Sequence, residues 1–178
     1  MKLLLDAGHG GKDPGAVAAD SVREKDIALE VVLQLGGLLR EMGIQVLYTR
    51  DRDEYISPSD RLRMIQGYKP EGFVSVHCNA AANPAAHGIE TIWRDDYDYP
   101  LAAAIHQALI AGTDLADRGL KQDGSPEYFR NLAVLKDLEV PACLTEIGFI
   151  SNAGDEQVIE NTTLIAQAIY MGVLAWDR

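Results

Sequence analysis

The residues of this chain best suited to chemistry are two histidines and two glutamates: His9, Glu24, His77 and Glu146. His9 follows the apolar run Leu3-Leu4-Leu5, inside the turn-rich stretch Gly8-His9-Gly10-Gly11-Lys12-Asp13-Pro14-Gly15. The glycines around it leave little side-chain bulk to shield the imidazole. His77 ends the run Gly72-Phe73-Val74-Ser75-Val76, and Glu146 ends Ala142-Cys143-Leu144-Thr145. Short apolar runs bounded by turns read as buried strands, and ligands collect at the carboxyl ends of such strands in open α/β sheets. Two histidines and one carboxylate make a hydrolytic zinc set with a fourth position left for water. A second carboxylate that stays off the metal can act as general base toward that water.

Each of these residues also has a plainer reading. Glu24 stands three residues after Ser21, where it completes a helix capping box. Glu146 can pair with a surface Lys or Arg, and a histidine at a strand end can be no more than a half-exposed polar group. No HExxH motif supports a metal site by spacing alone. His87 precedes a Gly turn and His106 lies mid-helix, so both are poor ligand candidates. Two nucleotide readings of the first loop fail outright. A dinucleotide fingerprint needs glycine where Asp13 stands, and a phosphate loop needs Ser or Thr after Gly11-Lys12, again Asp13.

The elements that must position these residues follow from periodicity. A first strand ends at the His9 loop, and 24–42 reads as a helix capped by Ser21 and stopped by Gly43, with a strand over 44–49. This order makes a right-handed βαβ unit. Ser57-Pro58-Ser59-Asp60 caps a helix reaching Tyr68, which Lys69-Pro70 ends. Strands are predicted over 72–77, 88–93, 132–135 and 142–146, and helices over 99–111, 152–158 and 163–176. The stretch 114–130, with its glycines, charges and Pro126, reads as a long loop over one end of the sheet. The predicted fold class is α/β: one layered domain over 1–178, with a parallel or mixed central sheet of about six strands and helices on both faces.

Bulk composition excludes several functions. The chain has 178 residues, 47% hydrophobic and 24% charged, with a formal net charge of −11. Such an acidic balance argues against nucleic acid and against attachment to anionic membrane. No apolar run reaches the length of a membrane span, so no membrane insertion is expected. Met1-Lys2-Leu3-Leu4-Leu5-Asp6 is too short in its apolar part for a signal peptide. Cys78 and Cys143, the only cysteines, lie in apolar stretches and read as reduced core residues. Nothing in the chain fixes its oligomeric state.

Five segments carry a resemblance. His9-Gly10-Gly11-Lys12-Asp13-Pro14-Gly15-Ala16, Glu24-Lys25-Asp26, Thr49-Arg50, Ser75-Val76-His77-Cys78-Asn79-Ala80 and Thr145-Glu146-Ile147-Gly148-Phe149-Ile150-Ser151-Asn152 occur in that order over nearly the whole chain. Together they resemble the zinc-dependent N-acetylmuramoyl-L-alanine amidases of the amidase-3 type, bacterial cell-wall amidases and phage lysins. Asp60-Arg61 and Gly88-Ile89-Glu90 also resemble lesser positions of that family, without an assigned chemistry. The resemblance implies Zn2+ as cofactor, His9, Glu24 and His77 as its ligands, and Glu146 as the catalytic glutamate. Coordination by Glu24 then competes with its capping role.

The implied substrate is peptidoglycan, cut at the amide between the lactyl group of N-acetylmuramic acid and L-alanine of the stem peptide. Another zinc peptidase of cell-wall peptides and a non-catalytic wall-binding module are the alternatives. The implied place of action is the cell wall, reached either by a phage or prophage lysin or by a trimmed exported enzyme. About ten residues separate His77 from the next strand, too few for the inserted helix that blocks the zinc site in some division amidases. An uninhibited catalytic unit is therefore expected. Stem peptides carry carboxylates that an acidic chain repels, so weak substrate affinity is expected. Lys12, Arg50, Arg61, Lys121 and Arg130 are candidates to supply local positive charge.

Overall fold

Burial on both faces turns the apolar runs into central strands. The computed structural model describes residues 1–128 and 130–177. Its six-stranded sheet has the order β2-β1-β3-β6-β4-β5, with β1 (Lys2–Ala7), β2 (Gln45–Tyr48), β3 (Gly72–Asn79), β4 (Ile89–Trp93), β5 (Asp117–Gln122) and β6 (Ala142–Phe149). Strands β2, β1, β3 and β6 are mutually parallel, β4 runs antiparallel to β6, and β5 is parallel to β4.

Side-chain alternation splits the core into two layers. Leu3, Leu5, Val74, Val76 and Cys143 pack beneath α1 (Glu24–Glu41), α3 (Tyr99–Thr113) and α5 (Thr162–Trp176). Leu4, Phe73, Ile92, Ala142 and Leu144 face the other way, toward Ile65 of α2 (Pro58–Tyr68) and Leu135. A short helix, α4 (Ala153–Ile159), precedes α5. The α/β class, the sheet of six strands and the helices on both faces are as predicted. Ser57 caps α2 by accepting from the Asp60 amide, also as predicted. Among the described residues no single helix is long and apolar enough to cross a membrane.

Four expectations need correction. The stretch 114–130 is not all loop, since β5 occupies its first half. As an edge strand half in water, Asp-Arg-Gly-Leu-Lys-Gln has the charges edges carry and lacks the apolar alternation that betrays a strand. The stretch 132–135 is not a strand but ends in a 3-10 turn over Ala133–Leu135. Its apolar residues Leu132, Val134 and Leu135 all pack on the α2-side core, which a turn permits and an alternating strand does not. Ser21 does not cap α1: it has φ +80°, and the N-cap position is Arg23, with no side-chain cap bond. Finally, neither His77 nor Glu146 ends its strand: β3 continues through a register shift to Asn79, and β6 runs on to Phe149.

Candidate metal centre

The site is assembled along one edge of the sheet, on the α2 side. From β1 the chain passes into Gly8, whose amide donates to the Val76 carbonyl at 3.0 Å, so the loop starts pinned to β3. His9 follows in the left-handed region with φ +59°, an uncommon conformation for a non-glycine residue. Two buried arginines hold it there. Arg50 donates to the carbonyls of Ala7 (3.0 Å), Gly8 (2.7 Å) and Lys25 (2.8 Å). Arg61 donates to the carbonyls of Ala7 (2.7 Å) and His9 (2.6 Å), and pairs with Asp6. Asp6 also accepts from Thr49 and Ser75, each at 2.6 Å. Burial alone raises the Asp6 pKa, but Arg61 and the two hydroxyls outweigh it, and the carboxylate ends below its ordinary range. Arg50 and Arg61, candidates for substrate charge on sequence grounds, are thus enclosed as scaffold.

The two histidines and Glu24 converge. Glu24 Oε1 lies 3.0 Å from His9 Nε2 and 2.9 Å from His77 Nδ1, and accepts from the Cys78 amide at 3.0 Å. Its Oε2 accepts from the Ala16 amide at 2.8 Å. One candidate ligand atom from each residue lies within 4.8 Å of the others. Asp13 Oδ2 meets His9 Nδ1 at 2.9 Å and fixes the ring from behind. Two glycines make the room. A Cβ on Gly8 would stand 2.4 Å from the His77 ring, and one on Gly15 would stand 2.5 Å from Glu24 Oε2. Here the carboxylate of Glu24 is directed at the histidines instead of at a helix cap.

The electrostatics of this trio favour a positive charge at its centre. Burial lowers the His9 pKa, yet hydrogen bonds and charge from Glu24 and Asp13 outweigh it and raise it to about 9. Burial raises Glu24, and its bonds to His77 and His9 overcome that and hold it far below the ordinary carboxylate range. Two imidazoles and a carboxylate are a donor set that suits a metal of zinc's type, and the trio can hold one.

Glu146 lies one strand over, paired in register with His77 on β3 and with Glu90 on β4. It is buried, and its Oε2 has no hydrogen-bond partner among the described residues. Its Oε1 stands 3.4 Å from Arg130 Nη1. Burial is the dominant cause that pushes its pKa up, to about 7. Sequence reasoning assigned no role to Glu90, yet Glu90 organises the next part of the wall. It accepts from Asn79 (3.0 Å), Tyr128 (3.0 Å), Arg118 (3.2 Å) and Arg130 (3.5 Å). Asp6 and Asp13 were missed as well. A charged residue closing an apolar strand, as Asp6 does, was the available signal. His87 is exposed on a loop. His106 is buried on the other face, between Thr91 and Asp117, so neither joins the trio.

The model of the family described as N-acetylmuramoyl-L-alanine amidase matches residues 3–175. The chain belongs to that family. It is 33% identical over 176 residues to the probable cell wall amidase LytH of Staphylococcus epidermidis, covering 96% of this chain and 56% of that protein. It is 32% identical over 170 residues to the sporulation-specific N-acetylmuramoyl-L-alanine amidase of Bacillus subtilis, covering 93% of this chain and 62% of that protein. The chain thus spans less than two thirds of the length of these curated relatives. Among solved structures, the N-acetylmuramoyl-L-alanine amidase from Clostridium difficile 630 superposes with TM-score 0.90 at 33% identity, covering 98% of this chain and 95% of that one. The CwlD amidase from Clostridioides difficile, solved in complex with the GerS lipoprotein, gives 0.90 at 30% identity, covering 98% and 97%. Within this amidase family chain, the connection from β3 to β4 runs over 80–88 and contains no helix.

Proposed function

We propose that residues 1–178 form the catalytic unit of a peptidoglycan amidase that cleaves between the lactyl group of N-acetylmuramic acid and L-alanine. One observation carries this reading: three metal-type donors converge beside a buried carboxylate with one oxygen unpartnered among the described residues. In this reading His9, His77 and Glu24 would hold a zinc ion, and Asp13 fixes the His9 ring that would ligate it. Bound zinc supplies Lewis-acid polarisation of the scissile carbonyl and acidifies water near neutrality.

The chain's own groups do the rest. Glu146 Oε2 takes a proton from the attacking water, and the buried setting that raises its pKa to about 7 makes it a competent base at neutral pH. The same oxygen then hands that proton to the nitrogen of the departing L-alanine. Water's oxygen ends on the lactyl carboxylate and its two protons on the products, so the hydrolysis balances. Arg130 restrains the other oxygen of Glu146. Because the 80–88 connection is short, the site needs no displacement of an internal helix, and the enzyme is active without a partner. It acts on the wall, outside the cytoplasm, as cell wall amidases do.

The test is release of new amino termini from purified peptidoglycan, with chelator and after zinc add-back. Chelator-sensitive release of N-terminal L-alanine without new reducing sugar ends is the expected result. Internal peptide termini would move the chain to the zinc peptidase reading, and no release with any metal would leave a wall-binding module. A sub-micromolar dissociation constant for intact sacculi would overturn the expected weak affinity.

A further inference from the structure

Sheet order lays out the functional groups in sequence along one edge: His9 after β1, His77 on β3, Glu146 on β6, Glu90 on β4, and Arg118 and Lys121 on β5. The reaction centre lies in the middle of this row, and a cleft opens on each side of it. The cleft toward α2 is walled by Tyr55, Ile56, Pro58, Leu132 and Val134, with His9 and His77 at its inner end. The cleft toward β5, about 420 Å³, is walled by Arg118, Lys121, Arg130, Tyr128 and Glu90. The two ends of the site therefore differ in charge.

Three cations line the second cleft together with the carboxylate of Glu90, while Arg130 also meets Glu146 and Lys121 acts on Asp117 just outside it. The Glu90 carboxylate is already shared among Asn79, Tyr128, Arg118 and Arg130. Arg118 is fixed by Glu90 through Nε, by the His87 carbonyl through Nη1 at 3.4 Å, and by stacking over Phe149, its guanidinium carbon 4.9 Å from the ring centroid. Its Nη2 has no hydrogen-bond partner among the described residues, and neither has Lys121 Nζ. A guanidinium held through Nε, Nη1 and its face keeps Nη2 for a ligand. In a chain of net charge −11, such a cluster beside the reaction centre runs against the overall field. Screening confines that unfavourable field to about 8 Å at physiological salt, so a carboxylate delivered into the cleft meets mainly the local cations.

Resting on the amidase reading above, we propose that the Arg118–Lys121–Arg130 cleft is the subsite for a free carboxylate of the stem peptide. The peptide then leaves the scissile amide toward β5, and the muramyl group lies toward Tyr55 and α2. Glu90 is a positioning residue that sets Arg118 and Arg130 at the spacing the carboxylate needs.

The experiment is a direct binding titration of two peptides, L-alanyl-γ-D-glutamate with its free α-carboxylate and the same peptide with that group amidated. Binding is measured by calorimetry on the intact chain without added metal, then on Lys121→Gln and Arg118→Gln. The expected result is roughly fivefold tighter binding of the acid, lost in each variant, as for one charge-assisted contact at a half-exposed site. Arg130 is left intact because it also touches Glu146. Equal binding of acid and amide, no binding of either, or a preference that survives both substitutions would overturn the subsite. Each variant is also assayed for L-alanine release. Loss of the acid preference together with a raised KM for L-alanine release supports the subsite. Failure of wild type to release L-alanine, with the acid preference intact, breaks the amidase reading and leaves a carboxylate site.

Discussion

Two buried carboxylates of the same sheet have been given opposite surroundings. Asp6, on β1 beneath His9, is met by Arg61, Thr49 and Ser75 and is held below its ordinary pKa. Glu146, two strands away on β6, keeps one oxygen unpartnered among the described residues and meets Arg130 only at 3.4 Å, so burial pushes it up to about 7. The arginines follow the same division. Arg50 and Arg61 are enclosed and spend their donors on backbone carbonyls, whereas Arg118 and Arg130 stand half in water. A saturated carboxylate is fixed in charge and place, which suits a floor under strained backbone. An unsaturated one can gain and lose a proton, which suits chemistry.

The largest break in this comparison comes from the floor. Arg61→Leu leaves Asp6 buried without its counter-charge and is expected to cost about 3–5 kcal/mol in chemical denaturation, with activity lost along with the fold. On the other side, Glu146→Gln is expected to lower the rate of L-alanine release by roughly 10²–10⁴-fold. Zinc content by elemental analysis and stability should both be retained.

The pH dependence of stability in metal-free protein sharpens the contrast, because the two groups have opposite signs. The lowered pKa of Asp6 gives stability that is present above its ordinary value of 3.8 and lost as pH falls through the folded value. The raised pKa of Glu146 gives stability that is full below 4.5 and lost as pH rises toward about 7. Denaturation curves of Glu146→Gln across pH 4.5–7 should lack that second decline. Zinc affinity should weaken on acidification, since below about 9 the metal must displace a proton from His9, and a competition titration against a chelator reads it. Smallest of all, Lys121→Gln should leave stability within about 0.5 kcal/mol, because this half-exposed cation makes no hydrogen bond among the described residues and holds nothing up.

The floor and the trio were legible to different degrees. The strands β1, β3 and β6 and the helix α1 announce themselves through apolar runs and periodicity, and the loop after β1 through its glycines. His9, His77 and Glu146 could be placed near strand ends, but their assembly comes from the long-range parallel pairing of β1 with β3 and of β3 with β6, which no local pattern encodes. Composition could not separate Arg50 and Arg61 from Lys121 and Arg130, since burial decides which charges are scaffold. Strand β5 escaped because an edge strand is free to be polar. The run at 132–135 misled because consecutive apolar residues suit a turn lying on a core as well as a strand.

The register that aligns His77, Glu146 and Glu90 has a further consequence for how the protein comes to life. Those three side chains share a row only because β3, β6 and β4 pair at one particular offset, and a slip of one residue would turn Thr145 toward the site and Glu146 into the opposite layer. The same ladder hydrogen bonds that close the sheet therefore assemble the chemistry. On the amidase reading, recovered hydrolysis during refolding should track the pairing of β3, β6 and β4.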